Sequence, residues 1–484
     1  MVMGEITLET EVLVIGGGPG GYAAAFRAAD LGKDVTLVDL SDRPGGVCLF
    51  RGCIPSKTYL HLAELIYDAG RAESMGLHFE PPTIDLAAIR TYKSGVIDKL
   101  AKGLVSLGDK RGVQRVRGRA VFEDSNRVRL LESEVGHIRF RHAILATGSH
   151  PVAFPGAPFK KDGRIMNSTS ALEMNDIPET LLVLGGGYVG LELGSVYAAL
   201  GSRVTVFELG DRLLPGVDSD LVKPLQRRLE TVFENIHLNT RVSSLVDNGA
   251  AVKVILGGDS GGTRKHFDKV LVAIGRQPNT KNIGLENTGV QTDERGFIHI
   301  NEQQRTSDDR ILAVGDVVGG VMLAHKATYE GKIAAEVLSG EPSAFDARAI
   351  PAVVYTDPQI SYCGLNEEDA RRQHKKVEVH RFPWKFSGRA ATIDAPEGLT
   401  KLIIETKTGR ILGVGVTGRG SEALISEGVL AVEMGALAQD LALSIHPHPT
   451  LSETEMEAAE IYTGTATHIL PQKTKGGKVP PRPE

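Results

Sequence analysis

The 484-residue sequence is short of the features that mark several classes of protein. It has only three cysteines, too few for a disulfide-stapled secreted scaffold or for two tetrahedral metal sites. Cys48 and Cys53 stand close together, and Cys363 is remote. No apolar run reaches the roughly 18 residues of a membrane-spanning helix, and the N-terminal stretch has no basic segment followed by an apolar one. No membrane partner is expected, and the chain reads as soluble and cytoplasmic. An excess of positive charge is missing too. Lys+Arg number 55 against 60 Asp+Glu, a net charge of -5, so no basic field of the kind that attracts nucleic acid is present. A nucleic-acid partner is not expected.

Glycine, by contrast, is plentiful. Its 56 residues are well above the roughly 7% usual share and show no collagen-like period. The excess belongs in turns. At about 150 residues per domain the length suggests roughly three domains.

Residues 11–15 (EVLVI) form a short apolar run that ends at the glycine-rich turn 16–21, and an alanine-rich stretch follows to Gly32. This is the pattern of strand, tight turn and helix. A second strand, 35–38 (VTLV), ends in Asp39, so Gly16, Gly18 and Gly21 form a G-x-G-x-x-G fingerprint inside a complete βαβ context. Residues 181–184 (LLVL) begin a second copy, with Gly185, Gly187 and Gly190, a helix to Gly201, and a strand 203–207 ending in Glu208. Gly16 to Gly185, Gly32 to Gly201 and Asp39 to Glu208 are each offset by 169 positions. Such glycines let backbone amides approach a pyrophosphate at a helix N-terminus, and the acid accepts from ribose hydroxyls.

Two dinucleotide sites in one chain imply a relay between two cofactors. Glu208 would repel a 2′-phosphate, which favours NAD over NADP in the second site. The first site precedes the cysteine pair, and a flavin is the natural acceptor between a dithiol and a nicotinamide, which points to FAD.

Cys48 and Cys53 are five positions apart. A regular helix would separate them by about 7.5 Å along its axis, beyond the roughly 7 Å limit for a disulfide. A bonded pair requires a local distortion, for which Gly52 is the natural place. An exchangeable disulfide, a buried thiol pair and half a metal site are the open readings. No other His or Cys cluster stands at ligand spacing, and no metal is expected.

With this pair the chain resembles the flavin-dependent pyridine-nucleotide disulfide oxidoreductases, and within them the branch that oxidises dihydrolipoamide. The resemblance covers roughly residues 10 to 470. It is carried in order by ATGS (146–149), LGGGYVGLELG (184–194), FELGDRLLPGVD (207–218), VAIGRQPNT (272–280), AVGDV (313–317), LAHKA (323–327) and HPHPTLSE (446–453). It implies an α/β architecture of two Rossmann-like dinucleotide-binding domains, for FAD and NAD, with a C-terminal α+β dimerisation domain. The expected divisions are a first FAD-binding segment over residues 1–149, an NAD-binding domain 150–277, a return of the FAD-binding fold 278–350, a dimerisation domain 351–470 and a disordered tail 471–484. Gly/Pro-rich stretches at 149–158, 275–279 and 341–352 agree with these seams.

The resemblance also implies roles. Cys48 is the interchange thiol that meets substrate, and Cys53 passes electrons to the flavin. His448 is the base that makes the attacking thiolate, oriented by Glu453. This pair serves the other subunit, so a homodimer is expected. Lys57 and Glu192 correspond to an ion pair beside the flavin. Gly118, Thr147, Gly148, Ser149, Asp316, Met322, Leu323, Ala324 and His325 are expected FAD neighbours with Gly16, Gly18, Gly21, Asp39 and Lys57. Gly185, Gly187, Tyr188, Val189, Gly190, Glu192, Glu208, Val242 and Gly275 are expected around NAD, with Tyr188 covering the nicotinamide pocket. His446 reads as structural, Cys363 as an inert buried thiol and Trp384 as packing.

The redox loop departs from the branch, with Val47, Phe50 and Arg51 where Thr, Asn and Val are usual. These changes bear on substrate more than on chemistry. A related reductase with another disulfide substrate, or a redox-sensing flavoprotein subunit, are the rival readings. A mercuric-ion or large thioredoxin reductase would carry a C-terminal cysteine pair, which is absent after Glu460. The lipoyl carrier, whether of a 2-oxo acid dehydrogenase complex, glycine cleavage or another system, is expected to be a separate protein.

Overall fold

A computed structural model describes residues 6–258 and 262–470. The expected tail 471–484 lies outside them. The described chain separates into two compact units. One takes 6–178, 243–255 and 264–346, and the other 179–242, 256–258, 262–263 and 347–470.

The first unit is built on a seven-stranded sheet in the order Gln114–Arg117, Val35–Asp39, Thr7–Ile15, His137–Leu145, Arg127–Leu131, Arg119–Asp124, with Ile311–Ala313 pairing beside His137–Leu145. The strands around Thr7–Ile15 run parallel and the last three antiparallel. Parallel strands are covered on both faces, which explains the unbroken apolar run at 12–15. Val12 and Val14 face one core with Ala24, Ile144 and Ile333, whereas Leu13 and Ile15 face another with Phe122, Phe140 and Ile311.

The helices Pro19–Asp30 and Ala324–Leu338 approach closely because glycines meet there. A Cβ on Gly331 would stand 2.3 Å from the Gly20 carbonyl oxygen. The helices Gly46–Arg51, Cys53–Arg71 and Leu86–Lys110 follow, and Leu49, Ile97 and Ala101 form a small core under the redox loop.

The second unit opens with Thr180–Leu184, Arg203–Phe207 and Asn235–His237 in parallel, with the helix Tyr188–Ala199 between the first two. It continues with a five-stranded antiparallel sheet in the order Ala352–Val354, Ile360–Gly364, Ile411–Thr417, Leu399–Glu405, Val377–Pro383. The helices Ser421–Met434 and Glu453–Thr463 belong to the same unit, and its core includes Leu402, Val414, Val416 and Ile425. Trp384 is fully buried there and donates Nε1–H to Thr400 Oγ1 at 2.9 Å. Cys363 is buried as well, and burial pushes its thiol up to about 12. The expected α/β class therefore holds. Among the described residues no helix is long and apolar enough to cross a membrane.

Candidate active site

The 169-residue repeat is geometric as well as sequential. Pro19–Asp30 and Tyr188–Ala199 are the same helix under that offset. The strand registers also superpose, with Val12 opposite Val35 in one copy and Leu181 opposite Val204 in the other. Each acid holds its glycine turn. Asp39 accepts the Gly17 N–H on Oδ2 at 2.5 Å and the Ser41 N–H on Oδ1 at 2.7 Å. Glu208 accepts the Gly186 N–H on Oε2 and the Gly210 N–H on Oε1, both at 2.6 Å. A further strut repeats, from Gly45 N to Gly17 O and from Leu214 N to Gly186 O.

These turns fit a pyrophosphate. Gly16 and Gly185 have φ of 106° and 110°, a region open to glycine. The helix N-caps Gly18 and Gly187 have no side-chain cap, so the first-turn amides remain available to an anion. A Cβ on Gly187 would meet nothing within 4 Å, and one on Gly18 would meet only Gly46 Cα at 4.0 Å. Gly21 is different in kind, because a Cβ there would lie 1.7 Å from Gly16 O. It lets helix and strand pack. Beside the first turn lies a cleft lined by Leu37, Asp39, Arg115, Val116 and Arg117. The Gly118 N–H donates to the Asp39 carbonyl at 2.9 Å.

Cys48 lies in the helix Gly46–Arg51 and Cys53 opens the helix Cys53–Arg71. The break between them is at Gly52, where a Cβ would press on the Val47 carbonyl oxygen at 3.0 Å. Both cysteines are thiols in this structure, Cys48 half-buried and Cys53 exposed. A hydrogen bond to Cys53 pushes the Cys48 thiol strongly up, burial and the Cys53 charge add to this, Lys57 opposes, and Asp316 adds again. Lys57 stands one helical turn after Cys53, on the same face. Burial, and then the charges of Cys48 and Cys53, raise the Tyr22 phenol. Arg51 is exposed at the end of its short helix.

Thr147, Gly148 and Ser149 form a turn knotted to Asn279. Thr147 Oγ1 donates to Asn279 O at 2.9 Å, Asn279 Nδ2 donates to Thr147 O at 2.8 Å, and Asn279 N donates to Gly148 O at 2.9 Å. Ser149 Oγ contacts Asp316 Oδ2 at 2.5 Å. Asp316 lies in the turn Gly315–Val318, and Met322 and Leu323 lead into the helix that begins with Ala324 and His325. Gly275, with φ 132°, precedes Arg276 in the same unit.

In the second unit Tyr188 is the first residue of its helix and is 40% exposed, Val189 is half-buried and Gly190 buried. Val242 is half-buried at the start of its strand. Glu192 is buried, and its Oε1 accepts the Tyr355 N–H at 2.9 Å. His448 is exposed on the ring, with Nδ1 at 2.8 Å from Glu453 Oε1. Glu453 Oε2 accepts the Thr450 N–H at 2.7 Å. Burial raises the Glu453 carboxyl, but the Thr450 N–H and the His448 ring outweigh it and hold it below its ordinary value. His446 has both ring nitrogens occupied, by Ser444 O at 2.9 Å and Glu427 Oε1 at 3.0 Å. That leaves Nε2 of His448 as the open imidazole nitrogen of the loop.

Sequence reasoning misses three groups. Arg276 donates from Nε to Ser149 Oγ at 2.7 Å. Glu330 is buried, accepts the Gly315 N–H at 2.7 Å and pairs with Lys326 at 2.5 Å. Lys401 is 1% exposed among Asp218, Asp220 and Glu367. Arg276 stands in the GRQPN stretch, which the sequence marks only as a seam, and Lys326 and Glu330 share the i,i+4 spacing of one helix face.

Comparison with known proteins agrees with this layout. Residues 10–331 match the pyridine nucleotide-disulphide oxidoreductase family, and residues 350–459 match the dimerisation domain of that family. The chain is 44% identical to the dihydrolipoyl dehydrogenase of Buchnera aphidicola subsp. Schizaphis graminum, over 96% of this chain and 98% of that one. It is 43% identical to the dihydrolipoyl dehydrogenase of Haloferax volcanii, over 97% and 100%. Among solved structures it is similar to LpdA of Mycobacterium tuberculosis, at 27% identity and a TM-score of 0.85 over 93% of this chain and 99% of that one. The Cu(II) complex of the flavoprotein disulfide reductase RclA of Escherichia coli is similar at 27% identity and 0.83, over 94% and 99%. With both family models matched in order around a twin dinucleotide cradle and a paired-cysteine loop, the chain belongs to the pyridine nucleotide-disulphide oxidoreductase family.

Proposed function

We propose that this chain oxidises protein-bound dihydrolipoamide to lipoamide and reduces NAD+, with FAD as the carrier between them. The observation that supports this most directly is the Cys48 and Cys53 pair at a helix break with Lys57 one turn on, in a chain that also presents His448 on Glu453. Gly16, Gly18, Gly21, Asp39, Lys57, Gly118, Thr147, Gly148, Ser149, Asp316 and the 322–325 segment hold FAD. Gly185, Gly187, Tyr188, Val189, Gly190, Glu192, Glu208 and Val242 hold NAD.

The oxidised chain carries a Cys48–Cys53 disulfide. His448 takes the proton of one substrate thiol at Nε2, Glu453 fixes the ring through Nδ1, and the resulting thiolate attacks Cys48. The new bond is a mixed disulfide between substrate and Cys48, and Cys53 leaves as a thiolate. The second substrate thiol then displaces Cys48, which closes lipoamide and leaves both enzyme cysteines reduced. Bound FAD supplies a two-electron acceptor for that dithiol, and NAD+ leaves as NADH with release of one proton.

The His448–Glu453 pair serves the second subunit of a homodimer. The proposed division is two FAD-binding segments, residues 1–149 and 278–350, an NAD-binding domain 150–277 and a dimerisation domain 351–470. A cytoplasmic location suits a cysteine pair that is reduced in every turnover. The test is NADH formation by the purified protein with dihydrolipoamide and with lipoyl carrier domains. Turnover with NAD+ far above that with NADP+ is expected. Failure with every lipoyl substrate, with turnover of another dithiol, would transfer the assignment to a different disulfide substrate.

A further inference from the structure

The turn Gly315–Val318, which carries Asp316, has a glycine at its start and another just past its end. Gly315 and Gly319 both stand at φ 80°, and glycine leaves the backbone free to take other paths, so neither end is fixed by its own residue. Both ends are instead held from one helix. Glu330 Oε2 accepts the Gly315 N–H at 2.7 Å, Lys326 Nζ donates to the Gly319 carbonyl at 3.2 Å, and the same Nζ stands 2.5 Å from Glu330 Oε1. The two side chains are 9% and 3% exposed, so the brace is buried.

Helix stability does not account for this pair. Lys326 is in the first turn of the helix Ala324–Leu338, where a cation opposes the helix dipole, and a lysine four residues before a glutamate is the weaker order of such a pair. Burial does not favour it either. It raises the Glu330 carboxyl by more than Lys326 and the Gly315 N–H lower it, and a buried ion pair adds little over apolar side chains of the same size. What the pair supplies is two fixed contacts on the turn.

The helix that carries the pair has a fixed seat. A Cβ on Gly331 would stand 2.3 Å from the Gly20 carbonyl oxygen, and one on Gly20 would stand 3.1 Å from the Ala327 carbonyl oxygen and 3.2 Å from Val314 Cγ2. Gly20 lies in Pro19–Asp30, the helix of the first glycine turn. That helix, Ala324–Leu338 and the residue before Gly315 therefore meet at one point.

We propose that Lys326 and Glu330 are positioning residues for FAD: they tie both ends of the Gly315–Val318 turn to the helix seated on Pro19–Asp30, and so hold Asp316 in register with the pyrophosphate cradle. This deepens the proposed function and rests on its reading of Asp316 as a flavin neighbour. Without the brace, flavin leaves faster while the fold persists.

The test is FAD release from the full-length holoenzyme in potassium bromide below its unfolding range, read as free-flavin fluorescence, with far-ultraviolet circular dichroism recorded on the same solution. Lys326→Met combined with Glu330→Leu leaves no lone buried charge. It is expected to release FAD about tenfold faster with an unchanged dichroism spectrum, the effect of losing roughly one hydrogen bond. Lys326→Met combined with Glu330→Gln keeps an acceptor for the Gly315 N–H and is expected to release FAD at a rate between that variant and the parent. It also carries the test should the first variant not fold. Arg27→Met breaks the 2.8 Å pair of Arg27 with Glu336, further along the same two helices, and is expected to release FAD at the parental rate. Parental release from the double variants, faster release only where dichroism is lost, or the same acceleration in Arg27→Met overturns the inference. Failure of the parent protein to turn over dihydrolipoamide would strike the proposed function and leave flavin release readable.

Discussion

Glu453 binds His448 with one carboxylate oxygen at 2.8 Å and the Thr450 N–H with the other at 2.7 Å, so the orienting group is itself fixed at both ends. The imidazole is thereby held by Nδ1, with Nε2 directed away from its own carboxylate. His448→Gln is expected to lower kcat with dihydrolipoamide by roughly 100-fold or more, and Glu453→Gln by less, with little change in KM for NAD+. Steady-state kinetics check this, and equal losses in KM and kcat would count against a base at His448.

The same carboxylate makes a pH prediction. Its pKa is lowered in the folded chain, so its contribution to stability is full above the ordinary carboxylate range and fades as pH falls through the lower folded value. The gap in denaturant midpoint between wild type and Glu453→Gln is expected to be constant above about pH 5 and to shrink below about pH 4. A gap that widens on acidification would reverse the assigned sign.

Two glycines separate packing from ligand contact. Gly187→Ala adds a methyl group that meets nothing in the folded chain but enters the space before the helix N-terminus. Its melting temperature should match wild type, while KM for NAD+ rises about tenfold or more, a loss of about 1.4 kcal/mol. Gly21→Ala drives a methyl group into the Gly16 carbonyl and should lose at least about 1–3 kcal/mol of stability together with flavin retention. Equal melting temperatures for the two variants would show that the distinction is misplaced.

Lys401 joins three carboxylates, Asp218, Asp220 and Glu367, and Arg381 also pairs with the last two. Burial raises the Asp220 carboxyl, but Lys401 and then Arg381 lower it further, so it is depressed on balance. Lys401→Met removes the central cation and is expected to cost about 3–5 kcal/mol at pH 7. The loss should narrow as pH falls below about 4, where the depressed Asp220 carboxyl takes up its proton and its pairing with Lys401 is lost. Urea unfolding at the two pH values measures it, and a loss independent of pH would mean that lost packing, not charge, is responsible.

Much of the frame is legible in the residues. The two βαβ units can be read because their signals are local: apolar runs for buried parallel strands, glycines where a turn or a close approach requires them, and an acid at the second strand end. The offset of 169 then reappears in helix bounds, strand register and the amide clamps on Asp39 and Glu208. The strand 11–15 begins earlier than its apolar run suggests, at Thr7, because Thr7–Thr10 pair with His137–Phe140 beside them. A partner strand 130 residues away cannot be seen in a local pattern.

The sequence by itself determined the family and its kind of chemistry, through two glycine-rich βαβ turns, a cysteine pair and the segment that holds His448 and Glu453. Tertiary structure decided which groups govern those residues. The clasp of Arg276 and Asp316 on Ser149, the support of Gly315 by Glu330, and the burial of Lys401 among three acids each join segments that no short period relates. The reason is physical. Helix, strand and turn signals follow from neighbouring residues, but desolvation and charge pairing depend on whatever the packed chain brings within a few ångströms.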